Sequence, residues 1–190
     1  MSSVAMRFTA LIAAVVTAAV VSSCGESAPA PSALSTEHNA ADVTFAQKMI
    51  PHHQQALDMS AMVPSRTTNR KLIVMAKQIA RGQQAQIETL QELLQQWGEP
   101  SPSDHMELGG MGMDGMVDAA TMDKLPTLNG AEFDDLWLTS MIAHHQGAVA
   151  MAEPEVAQGK NPTAVKMAKT IVKWQQLEIG QMHAMLGPSE

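Results

Sequence analysis

The sequence predicts an all-α protein, a four-helix bundle assembled from two copies of one helical hairpin. Three observations carry that expectation. No segment alternates apolar and polar residues as a half-buried strand would, and the ordered stretches carry apolar residues at helical spacing. Tyrosine is absent and the large side chains are mostly Leu, Ile, Val and Met. The chain also repeats itself: MIPHHQQALDM at 49–59 returns as MIAHHQGAVAM at 141–151, an offset of 92 residues (144 minus 52).

The first 23 residues read as an export signal. Arg7 supplies a positive start, and Phe8 to Val21 forms an apolar run shorter than the roughly 20 residues that a membrane-spanning helix needs. Val21-Ser22-Ser23-Cys24-Gly25 resembles a bacterial lipobox, with Val in place of the usual Leu. Cys24 is the only cysteine, so the chain forms no internal disulfide and no cysteine-rich metal site. The expectation is a lipidated Cys24 that anchors an extracytoplasmic protein to a membrane. Ordinary signal cleavage with a spare thiol is the plainer alternative. Residues 24–37, rich in Ser, Ala and Pro, read as a flexible tether.

Residues 38–187 form the expected helical domain. The first helix runs from about Ala40 to Met62, stopping before Pro64. A second runs from about Thr67 to Trp97, with Gly98 and Pro100 as stop signals. A third runs from about Asn129, its N-cap, to Gln158, with Pro154 near its end. The fourth opens at Pro162 behind Asn161 as cap and ends before Gly187. Short links within each pair imply antiparallel hairpins. The segment 98–128 between them is glycine- and methionine-rich and reads as a loop.

The repeat extends beyond the histidines. Asp42 falls on Asp134, Asn69 on Asn161, Met75-Ala76-Lys77 on Met167-Ala168-Lys169, and Gln83-Gln84 on Gln175-Gln176. At roughly 100° per residue, Asp42, Met49, His52, His53, Ala56 and Met59 share one helix face. So do Asp134, Met141, His144, His145, Ala148 and Met151. If the halves pack about a pseudo-twofold axis, these faces meet. Glu178 also points inward by periodicity, and its counterpart in the first half is Gln86.

Net charge is −7, and no basic run or aromatic interleaving suggests nucleic acid as a partner. Imidazole suits several transition metals, and thioether selects the soft cuprous ion. The inventory therefore points to copper, with other transition metals possible. Its candidate ligands are His52, His53, His144, His145, Met49, Met59, Met141, Met151, Asp42, Asp134 and Glu178. A secondary loop set comprises His105, Met106, Met111, Met113 and Met116. The plainer readings are core methionines, a linker without metal, and a hydrogen-bonded histidine network closed by Asp42, Asp134 and Glu178. His38, His105 and His183 are weak singletons.

The two M-I-x-H-H-x-x-A-x-x-M stretches, the upstream aspartates and Gln175-x-x-Glu178-Ile179-x-x-Met182 together resemble a bacterial family of ferritin-like helical proteins, domain of unknown function three-hundred-five. The resemblance spans Asp42 to Met185. It implies a ferritin-like four-helix bundle, an exported protein and a role in copper binding or tolerance. By direct match it carries to His52, His53, His144, His145, Met49, Met59, Met141 and Met151. Gln86 departs from the Glu178 pattern and weakens any symmetric two-carboxylate site. Copper buffering is the leading expectation. The alternatives are a ferritin-like metal-dependent oxidoreductase and a metal-free structural or interaction module. No nucleophile–base pair is legible, which leans away from an enzyme.

Overall fold

A computed structural model describes residues 35–102 and 114–186, and these contain five helices and no strand. The export signal, Cys24, most of the tether and the loop residues His105, Met106, Met111 and Met113 lie outside the described residues. No described helix is long and apolar enough to cross a membrane.

Helix α1 spans Ala40–Arg66. Asn39 starts it by accepting hydrogen bonds from the Ala41 and Asp42 N–H groups, while Asp42 accepts from the Asn39 N–H. The expected stop before Pro64 does not occur. Pro64 sits in the last turn, where the missing N–H removes a single bond, and the helix runs to Arg66. Helix α2, Arg70–Trp97, begins later than expected because Asn69 provides the cap, accepting from Lys71 and Leu72. It ends at Gly98, whose φ of 72° lets the Glu99 N–H reach back to the Leu94 carbonyl.

The expected loop 98–128 holds structure in its second half. Helix α3, Ala119–Lys124, is capped by Asp118 and followed by a 3-10 turn, Leu125–Thr127, that buries Leu125. Helix α4, Gly130–Gln158, runs through Pro154. Asn129 occupies its N-cap position but makes no side-chain cap bond. Helix α5, Pro162–Leu186, starts as expected, with Asn161 accepting from Thr163 and Ala164.

Helix α1 packs along α2, α4 along α5, and the two hairpins join mainly through α1 and α4, while α2 and α5 touch little. The Trp137 indole fixes the α1–α4 joint by donating to the Met59 carbonyl at 2.9 Å. The apolar core falls into two clusters. One gathers Met59, Val63, Leu72, Ile79, Phe133, Trp137 and Met141. The other gathers Phe45, Met49, Ile87, Leu90, Ala148, Ala152 and Ile171. Along α1 the changeover falls between Ile50 and Ala56, and along α4 between Ile142 and Ala148. Along α2 it falls between Ile79 and Ile87, and along α5 between Ile171 and Met182. All four changeovers carry polar residues, so a polar layer crosses the middle of the core.

A buried histidine layer as candidate metal centre

The polar layer contains His52 and His53 from α1 and His144 and His145 from α4, all fully buried. Antiparallel packing of two copies of one helix brings equal positions together. The His52 and His144 rings are in close contact, with centroids 3.7 Å apart and planes tilted by 33°. The outer rings lie farther away, His53 at 6.4 Å from His52 and His145 at 6.3 Å from His144.

Three of the rings are oriented by an oxygen acceptor. His144 Nε2 donates to the His52 carbonyl at 3.0 Å. His53 Nε2 donates to Gln86 Oε1 at 2.6 Å, and His145 Nε2 to Glu178 Oε2 at 2.9 Å. In a neutral ring the hydrogen then sits on Nε2 and the Nδ1 lone pair is free. Each of these three Nδ1 atoms is buried without a hydrogen-bond partner among the described residues. His52 has the Asp114 backbone beside it, yet among the described residues neither of its ring nitrogens makes a hydrogen bond of ordinary geometry.

Three of the rings, His52, His53 and His144, favour the uncharged form. Burial, then the charge of a protonated His53, pushes His52 down to about 3, with the Asp114 backbone partly opposing. Burial pushes His53 down to about 4 against the supporting bond from Gln86. Burial and then the neighbouring His52, His145 and His53 rings hold His144 well below the ordinary range. Neutral imidazole with a free lone pair is the form that ligates a metal.

The signature methionines flank the layer on both sides. Met59 and Met141 belong to one apolar cluster. Met49 belongs to the other, with Met151 packed against it. Among the described residues no three His, Cys, Asp or Glu side chains converge on one point, so a histidine-only or carboxylate cage is not preformed.

Two predicted carboxylates do not join the histidines. Asp42 lies ten residues before His52, about 15 Å along the helix. It is fully buried and receives the N–H groups of Asn39, Lys160 and Asn161. Burial works to raise its carboxyl, but the Asn161 N–H, the Glu155 carboxyl and the other backbone donors outweigh it and hold it below its usual value. Asp134 Oδ2 accepts from the Asn69 amide at 3.0 Å. Both aspartates therefore tie one hairpin to the interhelical turn of the other. Glu178 alone of the predicted carboxylates reaches the layer.

The linker contributes more than the sequence indicated. Gln55 clamps it through both amide atoms, donating to the Val117 carbonyl at 2.9 Å and accepting the Val117 N–H at 2.8 Å. Gly147 stands at the repeat position of Gln55, and a Cβ there would strike the Asp114 backbone and Gly115. Gly115, at φ 78°, lies equally close to Ala143 and Gly147. Residues 114–117 thus lie across α1 and α4 beside His52–His53 and His144–His145. Met116 is half-buried in this crossing. The signal was a mismatch inside the repeat, Gln55 against Gly147.

Glu155 was also missed. It is buried, neither oxygen makes a hydrogen bond of ordinary geometry among the described residues, and burial followed by the close Asp42 carboxyl pushes it up to about 8. Gly159 leaves the space that its carboxyl occupies. His38 stacks on Trp97 at 4.8 Å and His183 is exposed, both away from the layer.

The family model described as Domain of unknown function (DUF305) matches residues 42–186. A search of curated proteins gives no match. A DUF305 protein of Streptomyces coelicolor, described as secreted, is 36% identical with a TM-score of 0.71, over 77% of this chain and 91% of that one. A DUF305 fragment from Deinococcus radiodurans is 34% identical with a TM-score of 0.71, over 78% and 97%. CopM in its Cu(II)-bound form is 33% identical with a TM-score of 0.67, over 76% and 95%. CopM has also been solved in Cu(I)-bound and silver-bound forms.

Proposed function

The chain belongs to the DUF305 family, and from that premise we propose an extracytoplasmic copper-binding protein that buffers or sequesters the cuprous ion. The fold is read as a ferritin-like four-helix bundle, with Cys24 as lipid anchor behind an export signal. The observation that carries the reading is the set of buried imidazole nitrogens without partners among the described residues, at Nδ1 of His53, His144 and His145 and at both nitrogens of His52. Leaving a buried polar atom unsatisfied costs on the order of 1–3 kcal/mol. A bound ion would remove that cost for each nitrogen it takes.

The donor set fits copper. Neutral imidazole and thioether together suit Cu(I), while thioether does little for harder ions. His52, His53, His144 and His145 would supply nitrogen, and Met49, Met59, Met141 and Met151 sulfur from either side. Gln86 and Glu178 would orient the outer histidines, as acceptors behind metal-bound imidazoles commonly do. Asp42 and Asp134 are left out because their carboxylates already serve backbone and amide donors. Copper-bound CopM, similar across most of both chains, supports the same ion. The Streptomyces relative, described as secreted, supports the location. The loop residues His105, Met106, Met111, Met113 and Met116 form a secondary set, since their segment leads into the linker crossing at Gly147.

One observation favours a second reading, a metal-free structural network. His52 and His144 are already in ring contact, and three rings already hold one hydrogen bond each. Metal analysis of protein purified from an oxidising compartment separates the two. Copper retained through dialysis and lost in the His52→Gln/His144→Gln variant supports binding. Protein free of copper after anaerobic loading supports the network.

A further inference from the structure

The hairpins leave an opening on the side away from the linker. Between α2 and α5 runs a groove of about 440 Å³ whose walls include Gly82, Gln83, Gln86, Trp174, Gln175 and Glu178. Its floor is one hydrogen bond from the histidines. Gln86 and Glu178 line the groove, and the same two side chains hold His53 and His145. On the opposite side, α1 and α4 pack together under residues 114–117.

The repeat explains why the groove is open. Gly82 and Trp174 occupy the same position in the two halves (174 minus 92). Gly82 is exposed in the middle of α2, where glycine costs roughly 1 kcal/mol relative to alanine. Among the described residues nothing lies within 4 Å of the place its Cβ would take, so their packing does not demand a glycine. Its absent side chain leaves space beside the exposed Trp174. Deeper in, Gln83 and Gln175 are a second repeat pair, each 4% exposed. Neither amide atom of Gln83 is hydrogen-bonded among the described residues, and Gln175 Oε1 is also without a partner. Unsatisfied carbonyl oxygens beside a carboxylate, with no basic side chain among the lining residues, make a path for a cation.

We propose that the α2–α5 groove is the port through which the metal ion enters and leaves the histidine layer. Gln83 and Gln175 lend transient oxygen contacts, Glu178 and Gln86 act as gate, and Gly82 keeps the passage clear. The proposal rests on the copper-binding reading. A port differs from a ligand set in what it controls, because obstructing it slows uptake and release together and leaves their ratio, the affinity, unchanged.

The test fills the groove from its own wall. Gly82→Trp places an indole in free space, and Trp is a better helix former than Gly, so the helix is retained. Gly180→Trp is the control, an exposed α5 glycine with equally free space but outside the groove lining. Thr170→Trp loads the opposite wall and serves as a second obstruction should the first variant not fold. Each protein is loaded anaerobically with Cu(I) and chased with a chromophoric chelator to read release. Equilibrium affinity is measured by competition with the same chelator. The expected result is at least about tenfold slower release for the obstructing variants, a barrier increase of about 1.4 kcal/mol, with affinity and the Gly180→Trp rate unchanged. Unchanged release from a folded, obstructed protein overturns the port while copper binding stands. A loss of affinity without slower release also overturns it. Failure of the wild-type protein to take up Cu(I) brings down the binding reading, and the port with it.

Discussion

His144 lies on His52, ring on ring at 3.7 Å, with its Nε2 donating to the backbone carbonyl of that same residue at 3.0 Å. The two residues occupy one repeat position, so the contact is the place where the duplicated halves meet. It spends a hydrogen on a backbone oxygen and leaves ring nitrogens without a partner among the described residues. From this layer and the groups that support it, five expectations follow for the behaviour of the molecule.

Acid stability is set by the depressed histidines. His52, His53 and His144 are neutral in the folded chain and would take protons near 6.5 when unfolded. Below that value the unfolded state binds more protons, so stability is full above about pH 6.5 and falls toward pH 4. Urea unfolding across this window should show the decline, and His52→Gln/His144→Gln should flatten it. A wild-type curve without that decline would argue that the rings are solvated.

Glu155 works with the opposite sign. Its folded value is pushed up to about 8 from an ordinary 4.5, so its contribution is full below 4.5 and is lost as pH rises toward 8. Glu155→Gln should gain stability relative to wild type on the alkaline side and little near pH 4.5. A difference between the two proteins that does not vary with pH would contradict the protonated buried carboxyl.

The linker crossing depends on a missing side chain. Gly147→Ala drives a methyl into the Asp114 backbone, an overpacking that costs about 1–3 kcal/mol. Gln55→Ala removes two hydrogen bonds to Val117, each worth about 1 kcal/mol. Both variants should melt earlier and admit protease faster within 98–118, and unchanged cleavage would mean the crossing is not held by these contacts.

Much of this architecture was legible in the sequence and some was not, for physical reasons. The repeated MI-x-HH pattern places both histidine pairs on buried faces, and copies packed antiparallel must juxtapose equal positions. Asn161 before Pro162 is a local cap, and local chemistry reads well. Asp42 and Asp134 misled because periodicity gives a direction from the helix axis and no partner. Both carboxylates turned inward, but toward the turn at Lys160–Asn161 and toward Asn69, contacts over more than 60 residues of chain. Helix α3 is only 6 residues long, too short for a periodic signal. The linker crossing and the groove lay in the mismatches of the repeat, Gln55 against Gly147 and Gly82 against Trp174, where a copy had changed to make room.

Glu178 should matter for affinity through His145. Replacing an acceptor behind a metal-bound imidazole typically costs 10–100-fold in affinity. Glu178→Ala should weaken Cu(I) binding by about that factor, and Glu178→Gln by less, since Gln86 shows that an amide can hold the matching ring. Competition titration measures both, and equal affinities for wild type and Glu178→Ala would remove His145 from the ligand set.

The central claim is that the histidine layer holds copper, and thermal unfolding under anaerobic Cu(I) tests it most directly. Binding to the folded state adds about 2.7 kcal/mol at a hundredfold excess over the dissociation constant. The wild-type Tm should therefore rise clearly with Cu(I), and less with zinc, which gains little from thioether. In His52→Gln/His144→Gln the increment should vanish while the metal-free Tm changes by less than that increment. A wild-type melting curve unmoved by Cu(I), together with a double variant badly destabilised without metal, would contradict the claim and make the layer a structural network.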